Sequence, residues 1–146
     1  MSLASVITYA HAMIGTPYKF GGNNPIEGID CSGLVLELMR AAGEVGSQDM
    51  TAQDLYNYFE SRGTHNVFAP GTLVFYGKSV TQISHVAFMI SPYQIIEAGG
   101  GGRSTITEED AAKKGAFVRM RHIDHRKSEI VARIKPLYAR IGMLQP

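Results

Sequence analysis

The chemistry in this chain starts with Cys31, the only cysteine among 146 residues. It stands directly behind Asp30 in the stretch GIDCSGLV, where a glycine- and proline-rich loop gives way to a helical pattern. A lone thiol cannot build an internal disulfide framework or a zinc site made from several cysteines. It is either apolar filler, the usual fate of a free cysteine, or a chemical tool. Placement in the first turn of a helix favours the tool. Unpaired backbone N–H groups there carry partial positive charge, and that charge favours a thiolate. The same groups can hold the oxyanion of a tetrahedral intermediate. Gly33, two residues on, is read as leaving room for a substrate backbone.

A nucleophile needs a base, and five histidines are available. His11 falls in the first helix and His65 in a polar turn. His122 and His125 lie in the basic run RMRHIDHR; their spacing suits two metal ligands, but no third ligand is near. His85 opens the apolar stretch SHVAFMI, and a rigid strand would hold its ring as a general base must be held. The following stretch, QIIEA, carries Glu97 as a lone charge. If these two strands pair through the turn at residues 91–93, Glu97 reaches the far nitrogen of His85, fixes one tautomer and stabilises the imidazolium. The alternative is a glutamate facing water before the GGGG loop.

The elements that position these groups follow from periodicity. Residues 3–14 read as a helix with Val6, Ile7, Ala10, Met13 and Ile14 on one side. A glycine-rich loop covers residues 15–30. A second helix runs from Cys31 to Ala42 with the stripe Leu34, Val35, Leu38 and Met39. A third begins at TAQD, where Thr51 caps and Asp54 suits a capping box. Short strands follow at 72–76, 85–90, 94–98 and 116–121, rich in β-branched and aromatic residues, with a helix signal in TEEDAAKKG. The stretch KSEIVARIKPLYARIGML reads as helical, broken near Pro136. Helices first and antiparallel strands later indicate an α+β domain. The division is a domain over 1–125 and a basic helical extension over 126–146.

A 45% hydrophobic content with 18% charged residues fits one folded domain with a real core. No apolar run reaches the roughly 20 residues that span a bilayer. The N-terminal stretch lacks the basic start of a signal peptide, so synthesis in the cytoplasm without a signal peptide is the expectation. Residues 1–102 hold four Lys and Arg against eight Asp and Glu, whereas residues 103–146 hold ten against five. The basic end is either a solvated face or a surface for an acidic polymer. Nucleic-acid binding rests on that tail alone.

The ordered set GTPYKFGG, GIDCSGLV, SHVAFMI and QIIEAGG resembles the NlpC family of papain-like cysteine peptidases, over roughly residues 3–121. The resemblance implies a papain-like fold in which the nucleophile helix packs on a small antiparallel sheet. It implies Cys31 as nucleophile, His85 as base, and Tyr18, Asp30, Ser32 and Ser84 around the substrate, with Asp30 facing a free amino terminus. The third polar position, commonly histidine in that family, is Glu97 here. The implied activity is a cysteine endopeptidase cutting peptidoglycan stem peptides, often between D-glutamate and the diamino acid, through a thioester and with no metal or organic cofactor. Without an export signal, the expected settings are a phage tail or lysis component, an injected effector with an immunity partner, or the catalytic part of a longer secreted protein, acting at the cell wall. The alternatives are a silent wall-binding or tail module of the same fold, and a related amidase or acyltransferase.

Overall fold

The computed structural model describes residues 1–138. Three helices come first: α1 (Leu3–Ala12), α2 (Cys31–Ala41) and α3 (Ala52–Phe59). The loop between α1 and α2 carries a minimal hairpin, β1 (Asn23–Asn24) and β2 (Gly28–Ile29). Then follow β3 (Gly63–His65), β4 (Leu73–Gly77), β5 (Ile83–Ser91), β6 (Gln94–Gly99), α4 (Glu108–Lys114), β7 (Phe117–His122) and β8 (Ile130–Pro136). A six-stranded sheet runs in the order β3-β8-β4-β5-β6-β7, and every pairing is antiparallel. The architecture is the expected α+β one, with α2 packed on the antiparallel sheet.

The caps explain where the helices start. Asp30 accepts the Gly33 N–H at the head of α2. Thr51 and Asp54 close a reciprocal capping box on α3, and Thr107 and Asp110 repeat it on α4. Each such cap is worth about 1 kcal/mol. The stripe Leu34, Val35, Leu38 and Met39 is fully buried, as periodicity predicts, and anchors α2 in one core with Phe75, Val86, Phe88 and Ile96 of the sheet. Burial of such a side chain stabilises by roughly 1.5–3 kcal/mol, so the first turn of α2 sits on a fixed base. In α1, Val6, Ala10 and Met13 are buried, but the helix ends at Ala12 and Ile14 lies exposed beyond it.

Strand alternation gives the sheet a second buried face. Val74, Tyr76, Ala87, Met89 and Ile95 pack there with Ile123 and Ile130. This is the face His85 shares, since it pairs directly with Tyr76.

The expected C-terminal helical extension is corrected by the structure over its described part. Residues 130–136 form β8, a strand inserted between β3 and β4, preceded by a single 3-10 turn at Lys127–Glu129. Ile134 faces Leu73 and Ala132 faces Phe75 across the ladder with β4. Sheet pairing overrides a weak helical pattern here. The segment therefore belongs to the sheet rather than to a separate extension; residues 139–146 lie outside the described ones.

Candidate active site

Cys31 opens α2 and is half-buried. Its address is set by backbone contacts close in sequence. Asp30 uses both carboxylate oxygens: Oδ1 accepts the Gly33 N–H at 2.7 Å and the Ser32 hydroxyl at 3.2 Å, and Oδ2 accepts the Gly21 N–H at 3.1 Å. One side chain thus caps the helix and ties the glycine loop to it. Gly33 serves packing rather than substrate approach. A Cβ there would stand 2.3 Å from the Gly22 carbonyl oxygen, so only glycine lets the loop lie against the helix. Among the described residues no acceptor takes the Cys31 N–H, which leaves a first-turn donor beside the thiol.

His85 comes from β5 and Glu97 from β6, and the two strands pair as the sequence reading requires. His85 Nε2 lies 2.5 Å from Glu97 Oε2. A carboxylate can only accept, so Nε2 carries the hydrogen and Nδ1 is the free ring nitrogen. Cys31 and His85 line one hollow, and the thiol acts electrostatically on the ring. Burial alone pushes the His85 imidazole down, but the contacts with Cys31 and Glu97 outweigh it and raise the group from 6.5 to about 9. Burial likewise pushes Glu97 up, and His85, then His125 and Arg126, more than reverse this and hold it below its ordinary value. Glu97 is 3% exposed and therefore does not face water.

The other Glu97 oxygen is also engaged. Arg121 Nε and His125 Nε2 each lie 3.7 Å from Oε1. Part of the basic run RMRHIDHR thus stands behind the His85–Glu97 pair. His122 turns instead toward Asp124, 3.6 Å away, so His122 and His125 do not converge. Among the described residues no cluster of three metal-ligating side chains exists.

Two hollows meet at Cys31, sharing Tyr18, Phe20, Ile83 and Ser84 as rim. The first, about 320 Å³, also holds Asp30, Ser32 and Asp49. The second, about 560 Å³, holds His85, the backbone of Gly99–Gly102, Arg103 and Arg126. The expected substrate residues Tyr18, Asp30, Ser32 and Ser84 thus all line the first hollow. Glu97 lines neither. Burial, with Cys31 and Asp30 close by, pushes the Tyr18 phenol up to about 12, so it remains a hydrogen-bond donor. Burial also raises the Asp30 carboxyl, although its three hydrogen bonds pull the other way. Asp49, Arg103 and Arg126 were not legible as site residues. Arg103 carried the one available signal, a charge placed directly after a glycine run.

Comparison with known proteins decides the lineage. Residues 15–127 match the NlpC/P60 family. The chain belongs to that family. Its members are cysteine peptidases that act on peptidoglycan. The chain is 32% identical over 103 residues to gamma-DL-glutamyl hydrolase of Bacillus subtilis (strain 168), covering 70% of this chain and 24% of that protein. It is 28% identical over 102 residues to the probable peptidoglycan endopeptidase LytE of the same organism, covering 70% of this chain and 29% of that protein. The chain therefore spans about a quarter of the length of the relatives it matches. In structure it resembles the NlpC/p60 domain of the peptidoglycan hydrolase SagA, with a TM-score of 0.65 at 23% identity, over 92% of this chain and 98% of that one. That likeness bears on the NlpC/P60 domain's fold, and the match runs through residue 127, past the boundary drawn at 125 from sequence.

Proposed function

We propose that this NlpC/P60 domain is a cysteine endopeptidase that cuts peptidoglycan stem peptides at the cell wall, between D-glutamate and the diamino acid. One observation carries the reading: a buried imidazole held by a carboxylate at Nε2, lining one hollow with the only thiol of the chain. The glutamyl bond in the name of the 32% identical relative supports glutamate on the acyl side.

In this mechanism Cys31 and His85 form a thiolate–imidazolium pair. Sγ attacks the scissile carbonyl, and the Cys31 N–H takes the developing oxyanion. His85 gives its Nδ1 proton to the leaving amine as the C–N bond breaks, which leaves a thioester on Sγ. A water molecule then loses a proton to Nδ1 and attacks the thioester; the acid departs and the thiolate is restored. Glu97 keeps the Nε2–H tautomer throughout. Asp30 and Tyr18 receive the free amino terminus of the acyl part, and Ser32 and Ser84 line its path.

Digestion of purified wall followed by mass spectrometry tests this. The protein is expected to release stem-peptide fragments that vanish in Cys31→Ala. Wall binding with no fragments from the unaltered protein would identify a silent module of the same fold. Weighing the trapped acyl-enzyme identifies the acyl donor and separates peptide hydrolysis from transfer.

A further inference from the structure

The two hollows that meet at Cys31 differ in charge. The first contains Asp30 and Asp49 and no Lys or Arg. The second contains Arg103 and Arg126 and no Asp or Glu. His85 lines only the second. A group that hands its proton to the leaving amine must face the leaving residue, so the second hollow receives that residue. We infer that Arg103 and Arg126 form a carboxylate-binding subsite for the leaving residue, so that the enzyme prefers a diamino acid bearing a free carboxylate. The inference rests on the peptidase reading above.

Both arginines are placed by the fold. Arg103 follows the glycine run on a loop fixed from within by Thr105, which is fully buried. The Thr105 carbonyl accepts the Phe20 N–H at 2.7 Å, and its hydroxyl takes the Gly102 N–H at 3.2 Å and the Lys114 ammonium at 2.8 Å. Gly101 lies so close to the Tyr18 ring that a Cβ would stand 2.2 Å from it. This packs the loop onto the rim of the cleft. No ion pair or hydrogen bond engages the Arg103 guanidinium among the described residues, so its five donors are free.

Arg126 adopts φ +56°, a region that costs a non-glycine residue about 1 kcal/mol. Glu129 accepts from its Nε at 2.6 Å and from Nη2 at 3.4 Å, and the guanidinium lies 5.6 Å from the Tyr76 ring centroid. These contacts leave Nη1 for a ligand. Arginine suits this task because its planar donors match a carboxylate.

The test uses two γ-D-glutamyl dipeptides with free amino termini on the acyl side, identical except that the leaving diamino acid ends in a carboxylate or a carboxamide. The protein is expected to favour the carboxylate by about tenfold in kcat/KM, mainly through KM, the scale of one charge-assisted contact. Arg103→Ala should move that ratio toward one, and Arg103→Glu should invert it. Arg126→Ala should also lower the ratio. A second readout needs no turnover: iodoacetate and iodoacetamide compete for Cys31, and the rate ratio in favour of the anion should fall in both alanine variants, with His85 unchanged as a common background. Equal hydrolysis of the two peptides, with an alkylation ratio that neither variant alters, overturns the subsite while leaving the peptidase reading intact. Failure to cut either peptide, or any stem peptide, removes both.

Discussion

The proposed nucleophile and the proposed base of this site are held in opposite ways. Cys31 is positioned by backbone geometry that is local in sequence: the Asp30 cap and the close approach of Gly22 to Gly33 lie within a dozen residues of the thiol. His85 is positioned by distant partners: Tyr76 across one ladder, Glu97 on the next strand, and behind Glu97 the side chains of Arg121 and His125. The first arrangement fixes where an atom is. The second also fixes what charge it carries, because buried neighbours change protonation as well as position. Damage to the cysteine arm should therefore appear as lost geometry or stability, and damage to the histidine arm as a changed pH response.

The largest effect removes either reacting group. Cys31→Ser and His85→Ala are each expected to lower kcat by about 10⁴-fold or more, read as released stem-peptide fragments, because groups that act as a unit fail together. Glu97→Gln keeps a hydrogen-bond acceptor and removes the charge. It should cost about 10²-fold in kcat/KM near neutrality, and the alkaline limb of the pH profile should move down from about 9. An unmoved limb would mean that Glu97 positions the ring without tuning it.

The same pair makes a signed prediction for stability. His85 is raised from 6.5 to about 9 on folding, so its contribution is complete below 6.5 and disappears as pH climbs toward 9. Glu97 is lowered from 4.5, so its contribution is complete above 4.5 and disappears as pH falls through the folded value. The stability gap between the protein and Glu97→Gln should be widest between about pH 4.5 and 6.5, on the order of 3 kcal/mol, and should narrow on the alkaline side. Urea midpoints across pH measure it.

Smaller effects fall on the cysteine arm. Gly33→Ala should destabilise by about 2 kcal/mol through its collision with the Gly22 carbonyl. Asp30→Ala should cost about 1 kcal/mol as a lost cap, with Asp30→Asn recovering most of it. Gly33→Ala should not shift the pH profile, whereas any variant of the histidine arm should; a shift from Gly33→Ala would erase the contrast between the two arms.

The same division governs what could be read from the sequence. The glycine loop, the Asp30 cap, the α2 stripe and the strand containing His85 are local patterns, and they were legible. Glu97 was legible as a lone charge in an apolar strand, although its contact with His85 depended on a pairing that only the fold decides. The β8 segment was misread because Ile130, Val131 and Ile134 satisfy a helical spacing as well as a strand, and pairing with β3 and β4 settles the choice. The strands β1, β2 and β3 have two or three residues each, too few to display a period. Arg121, His125, Arg126 and Asp49 reach the site only through long-range contacts, so their spacing along the chain held no sign of their positions, and Arg103 was marked only by its place after the glycine run.

The strand β8 also has a bearing on synthesis. It fills the gap between β3 and β4, and β3 has no other neighbour. A ribosome that has just added His122 has already made the thiol, the imidazole and the carboxylate, yet the sheet that must bring them to register is still missing an inner member. The site is therefore expected to assemble only after residue 136 clears the exit tunnel. Nascent chains stalled at residue 126 are expected to be as open to added protease as an unfolded polypeptide, and chains long enough to expose β8 are expected to close in one late step.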